Sequence, residues 1–169
     1  MELMEAILTR RSVRKYIKKE VSKDKIQEIL KAAMSAPSAG NQQLWHFVVI
    51  NDTKILAEIP SFHVHAKMLK DAAFAILVCG DLDLEKHKDM WVQDCAAATQ
   101  NILLAVRDLG LGAVWLGIFP RENRVTGMKN LTNLPENVMP FSLVSIGYPA
   151  EKQEQLNRFK NSRIHYNIW

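Results

Sequence analysis

Cysteine is scarce, with only Cys79 and Cys95 among 169 residues. Each lies inside an apolar stretch and has no partner at metal-binding spacing. A disulfide scaffold is therefore not expected, and a reduced, cytoplasmic compartment is. Long hydrophobic runs are also missing. "FAILVCG" at Phe74–Gly80 is far too short to cross a bilayer, so no membrane association is expected. The opening "MELMEAILTR" carries Glu2 and Glu5 and lacks a basic leader, which argues against a signal peptide. Glycine is sparse, at seven residues, and none forms a Walker A loop. Gly110-x-Gly112 resembles the start of a dinucleotide fingerprint, but Trp115 occupies the third glycine's place and the pair follows a helical rather than a strand pattern. A helix end and a turn account for both glycines. No G-x-S-x-G elbow surrounds Ser38, which excludes it as a hydrolase nucleophile. His63-Val-His65 has no Cys or carboxylate at ligand spacing, so both are read as exposed loop histidines and no metal is expected. Repeats, low-complexity tracts and interior linkers are absent, which predicts one domain over 1–169.

Against this background one feature is in excess. "RRSVRKYIKK", Arg10–Lys19, holds six basic residues in ten and no acid. The whole chain has 22 basic and 18 acidic residues, so outside this decapeptide acids slightly outnumber bases. A second acid-free stretch, Gln155–Trp169, carries Arg158, Lys160 and Arg163. Two compact basic clusters near opposite ends fit an anion pocket better than a nucleic-acid footprint, which needs a longer basic surface. No nucleic-acid partner is expected.

Periodicity supplies the elements. Glu2–Thr9 reads as a short helix. A second helix starts after Ser22, a plausible N-cap, and repeats apolar residues at Ile26, Ile29, Leu30 and Ala33. Trp45–Asn51 has strand composition. Phe74–Gly80 is continuously apolar, the mark of a strand buried on both faces. A long helix is predicted over Lys88–Leu109, with Trp91, Cys95, Ala98, Ile102, Ala105 and Leu109 on one stripe and Gly110 closing it. Ala113–Ile118 and Phe141–Gly147 are further strands, and Pro120 and Glu122 open another short helix. The result is a layered structure of helices with four or more strands.

"PSAGNQQLWHF" sets Ser38, Asn41, Gln42 and Gln43 ahead of an apolar strand, a set of donors and acceptors able to read the edge of a planar heterocycle. Taken in order, "RRSVRKY", "APSAGNQQLWHF", "DCAAATQNILLAVRDLGLGAVWLG" and "FKNSRIHYN" resemble the nitroreductase family of FMN-dependent oxidoreductases across nearly the whole chain. The resemblance implies an α+β fold with a mostly antiparallel central sheet flanked by helices, and a C-terminal tail exchanged in a homodimer whose sites lie at the interface.

It also implies roles for residues. Arg10 and Arg11 would face the FMN phosphate and ribityl end, with Ser12 bonding nearby, and guanidinium groups suit phosphate bidentately. Arg14 would approach the N1–C2 edge of the isoalloxazine, where a cation stabilises the reduced ring. Pro37, Ser38, Ala39, Asn41 and Gln43 would contact flavin bound mainly by the other subunit. Trp115, Leu116, Gly117 and Ile118 would lie against the ring near N5, and Arg163 would bind phosphate. Lys67 and Lys160 are further cations whose place relative to the cofactor stays open. The chain departs from the family pattern at Leu44, usually proline, and at Asn161, often lysine. Little sequence separates Gly117 from Phe141, so an open pocket is implied. The implied activity takes hydride from NADH or NADPH and reduces a small electron-poor acceptor, a nitroaromatic or quinone, by a ping-pong mechanism. No side chain acts as acid or base. Another flavin reaction on the same fold, such as dehalogenation, or a non-catalytic flavin sensor are the alternatives.

Overall fold

In chain order the elements are α1 (Leu3–Thr9), β1 (Tyr16–Ile17), α2 (Lys23–Met34), β2 (Trp45–Ile50), α3 (Thr53–Glu58), β3 (Phe74–Asp81), α4 (Trp91–Asp108), β4 (Gly112–Gly117), α5 (Glu122–Thr132) and β5 (Val138–Pro149). They come from a computed structural model that describes residues 2–151, 154 and 156–169. Gln155, the first residue of the expected basic tail stretch, lies outside the described residues. The five strands form one sheet in the order β1-β5-β3-β2, with β4 also paired to β5, and every strand pairing is antiparallel. This is the expected α+β architecture.

β3 explains how one sheet carries two cores. Its alternation sends Phe74, Ile76 and Val78 to one face and Ala75, Leu77 and Cys79 to the other. The first face packs under α2 and α4, where Ile29, Ala33, Cys95, Ala98 and Ile102 are buried. The second is covered by α3, α5 and the turns around Ile59 and Leu69, with Leu56 and Met128 buried there. The expectation of a doubly buried strand holds, and so does the α4 stripe.

Local signals set the ends. Ser22 Oγ accepts from Lys25 N at 3.5 Å and caps α2. α4 closes on a pair of reversed bonds, Leu111 N to Val106 O at 2.9 Å and Gly110 N to Arg107 O at 3.2 Å. Its last carbonyl at Leu109 also accepts from Lys25 Nζ at 2.9 Å.

Three expectations are corrected. α4 starts at Trp91 rather than Lys88, because Asp89 is left-handed (φ 65) and Met90 N bonds back to His87 O in a turn. Pro120 is not the first helical residue of α5. It lies in a tight turn closed by Arg121 N on Ile118 O at 2.9 Å, and Arg121 is the N-cap. The last strand runs beyond Gly147, since Tyr148 and Pro149 pair with Ile17 and Tyr16 of β1.

Candidate functional site

The basic segment is held beside the start of β4. Val13 N donates to Ala113 O at 2.8 Å, and Ser12 forms a parallel bridge with Ala113. Further along, the buried Tyr16 hydroxyl lies 2.8 Å from Val13 O and 3.1 Å from Ser145 O. The pairing that anchors Val13 inside leaves Ser12 and Arg14 exposed on either side of it.

Arg10 is half-buried, and its pKa is lowered first by that burial and then by the positive fields of Arg158 and Arg11. No carboxylate stands at ion-pair distance from it among the described residues. A cavity of about 900 Å³ opens next to it, lined by Arg10, Arg11 and Arg107, by apolar residues such as Val13 and Val106, and by Glu151 and Glu154, of which Glu151 pairs with Lys15 at 2.9 Å. Arg10, crowded by two further cations and without an ion-pair partner among the described residues, is suited to a bound anion. The donor set therefore fits a phosphate such as that of FMN.

Arg11 is differently employed. Its Nη1 donates to Leu8 O at 3.3 Å and Arg10 O at 2.7 Å, while Nε reaches Glu154 O at 3.1 Å and Nη2 reaches Leu156 O at 3.3 Å. Arg11 thus ties the start of the tail to the end of α1. Arg163 sits exposed in a 3-10 turn, Asn161–Arg163. The tail arginine beside Arg10 in this chain is Arg158, which sequence reading left unassigned.

The polar loop lies at the far end of α4. Gly40, Asn41 and Gln43 all have positive φ (52, 55 and 44°). At Gly40 a side chain would also run into the His87 imidazole unless that exposed ring moved, so glycine is favoured there on both counts. Ser38 Oγ accepts from Gln43 N at 3.0 Å, and Gln43 Nε2 donates to Asn41 Oδ1 at 2.8 Å. Pro37 is exposed.

The loop is anchored by Gln42, one of the polar residues singled out in the sequence, and by Asp94, which sequence reading passed over. Buried Asp94 accepts from Ala39 N at 2.9 Å and from Gln42 Nε2 at 2.6 Å. Gln42 Oε1 in turn accepts from Lys86 N at 2.8 Å and His87 N at 3.1 Å. Asp94 lies in the family-like "DCAAATQ" stretch, and that was the available signal for it.

β4 joins the two regions. Its outer edge bears the Ala113 carbonyl that receives Val13, and strand alternation puts the N–H groups of Trp115 and Gly117 on that same edge. Neither has a backbone partner there among the described residues. Leu116 and Ile118 point into the sheet's second core, while Trp115 is half-buried against Phe141. An open N–H at Gly117 fits a ring nitrogen that accepts a hydrogen bond.

Beside it, Gly117 O accepts from Arg124 Nη1 at 2.7 Å and His63 Nε2 at 3.2 Å. The exposed-loop reading fails for His63, which is only 1% exposed, and holds for His65. Packing of the 59–66 turns against β4 and α5 buries His63. Burial, followed by the charge on Arg124, lowers its pKa and keeps the ring neutral at pH 7.

In one chain, then, the basic segment and the polar loop do not meet. The first faces Val106 and the second Asp94, twelve residues apart on α4, or about 18 Å of helix axis. None of residues 37–43 lines the cavity beside Arg10.

Comparison with known proteins agrees with the fold and gives the family. The nitroreductase family profile matches residues 7–61 and 61–148. A protein of Methanothermobacter thermautotrophicus, named as a candidate NADH dehydrogenase/NAD(P)H nitroreductase, is 50% identical over 100% of this chain and 88% of its own length. A crystal structure from Parabacteroides distasonis with the same name superimposes with a TM-score of 0.95 at 38% identity, covering 99% of this chain and 98% of the other. A nitroreductase-like structure from Desulfovibrio desulfuricans, in complex with FMN, has a TM-score of 0.85 at 27% identity, covering 100% and 98%. The chain belongs to the nitroreductase family of NAD(P)H-dependent flavin oxidoreductases.

Proposed function

We propose that this protein is an FMN-dependent oxidoreductase that oxidises NADH or NADPH and reduces an electron-poor acceptor of the nitroaromatic or quinone type by a ping-pong mechanism. The supporting observation is Arg10, crowded by Arg158 and without an ion-pair partner among the described residues, at one end of β4, and the open N–H of Gly117 toward the other. FMN bound there supplies a carbon–nitrogen ring system that takes up and gives back two electrons as hydride. The chain's own part is to bind and orient. Arg10 and Arg158 hold phosphate, Ser12 lies beside them, and Arg14 is free to face the ring's electron-accepting edge. Trp115 and Gly117 offer N–H groups to it. A nicotinamide and an acceptor using the same open face in turn makes the cycle ping-pong.

The active species in this reading is a homodimer. Residues 37–43 reach a flavin only if a second copy brings its own basic segment to them. Two apolar surfaces are also left bare in the single chain. On α1, Leu3 and Met4 are 68% and 61% exposed, and in the tail Ile168 and Trp169 are 82% and 98% exposed. Surfaces of this kind are covered in the working assembly. An exchanged tail places its apolar residues against the partner.

Heat release of the cofactor followed by chromatography tests the flavin assignment, with FMN expected. FAD, or no flavin after reconstitution, would refute it. Anaerobic stopped-flow mixing with NADH should bleach the flavin before any acceptor is added. A protein reduced only when acceptor is present is not ping-pong.

A further inference from the structure

Arg124 has no part in the FMN contacts proposed above. It is half-buried in the first turn of α5 and donates one N–H, from Nη1, to Gly117 O. Its remaining guanidinium N–H groups have no protein partner, and no carboxylate stands at ion-pair distance from it, among the described residues. His63 donates to the same carbonyl from the opposite element. The exposed His65 ring lies edge-on to His63, 6.2 Å between centroids. Glu122 is the acid in that turn of α5, and it is exposed.

A carbonyl gripped by two donors from separate elements is fixed in direction, and so is the strand end that carries it. A guanidinium anchored on a neutral oxygen keeps its full charge. In a half-buried place that charge is weakly screened, and a planar fork with free N–H groups matches a carboxylate.

We propose that Arg124 is a substrate-orienting residue whose free N–H groups take the anionic group of the acceptor, so that the preferred acceptors are aromatic compounds bearing a carboxylate. His63 is the positioning residue that holds Gly117, and through it Arg124, in place. The inference rests on the proposed function, since it is the Gly117 N–H beside the flavin ring that puts Arg124 at the acceptor's side.

The test compares probes of one shape and different charge. Calorimetric titration of the FMN-loaded protein should show benzoate binding more tightly than benzamide, by roughly tenfold to a hundredfold for a charge-assisted bond. Arg124→Gln should bring the two affinities together, and Arg124→Lys should keep most of the difference. His63→Gln, whose amide can still donate to Gly117 O, should retain the preference, and His63→Ala should weaken it. The kcat/KM ratio of 4-nitrobenzoate to 4-nitrobenzamide should follow the same order. Equal binding of benzoate and benzamide by the wild-type holoprotein, or a preference that survives Arg124→Gln, overturns the inference alone. A wild-type protein that takes up no FMN overturns the functional reading and the inference together.

Discussion

Among single residues, the arginines near the N-terminus differ in what the fold asks of them. Arg10 has its charge crowded by Arg158 and Arg11, whereas Arg11 spends its own N–H groups on four backbone carbonyls. Arg10→Ala and Arg158→Ala should therefore each weaken FMN binding by roughly ten- to a hundredfold. Lys18→Ala, on an exposed position, should leave it nearly unchanged. Fluorescence titration of apoprotein with FMN measures both. Adding Arg163→Ala to the series shows which tail arginine reaches the phosphate in the assembled protein. Tyr16 makes a second prediction. Burial raises its pKa from 10.0 to about 12. The unfolded chain then loses this proton first, so stability should be constant below pH 10 on this account and fall as pH rises from 10 towards 12. Tyr16→Phe should flatten that part of the urea-midpoint profile. Cys79, raised from 9.0 to about 12 by burial, adds to the same alkaline loss and remains in the variant.

For the elements, the polar loop is the sensitive piece. It departs from regular structure at Gly40, Asn41 and Gln43 and is tied down through Asp94 and Gln42. Gly40→Ala combines a left-handed backbone with a collision at His87. It should cost on the order of 1–3 kcal/mol in urea denaturation and weaken FMN retention by displacing the loop. A variant of unchanged stability would show that the 82–90 turn yields easily. Lys25 on the α4 end, the Asp94 network at its start and the reversed bonds beyond it fasten both ends of α4. The helix thus spans from the basic segment to the polar loop.

Over the whole molecule, the bare face of α1 and the bare tail are the surfaces that the proposed dimer would cover. Fully burying a large apolar side chain contributes roughly 1.5–3 kcal/mol, and Phe159, Ile164, Tyr166, Ile168 and Trp169 are all exposed in the single chain. Deleting Asn157–Trp169 removes these along with Arg158 and Arg163. The truncated protein should lose FMN and shift towards monomer, and sedimentation read at the flavin absorbance reports both. Trp169→Ala should weaken the dimer with less effect on flavin. A truncated protein that stays a yellow dimer would place the interface elsewhere.

Local chemistry was readable directly from the chain. The unbroken apolar run of β3, the stripe on α4 and the Ser22 cap need only near neighbours, and the structure keeps all three. The ordered motifs marked Arg10, the 37–43 loop and the 115–118 strand, since each is a contiguous stretch. What escaped needs partners far away in sequence. β1 is two residues long, too short for any period, and exists only by pairing with β5. His63 is buried because β4 and α5 fold over it, which no feature of "HVH" announces. Arg11 meets carbonyls more than 140 residues away, and Arg124 finds Gly117 across a turn. Residue type and spacing set which groups could bind a phosphate or a flavin edge. The burial and the bonds that leave some of them free, and spend others on the backbone, come from long-range packing, and so does the separation of the basic segment from the polar loop along α4.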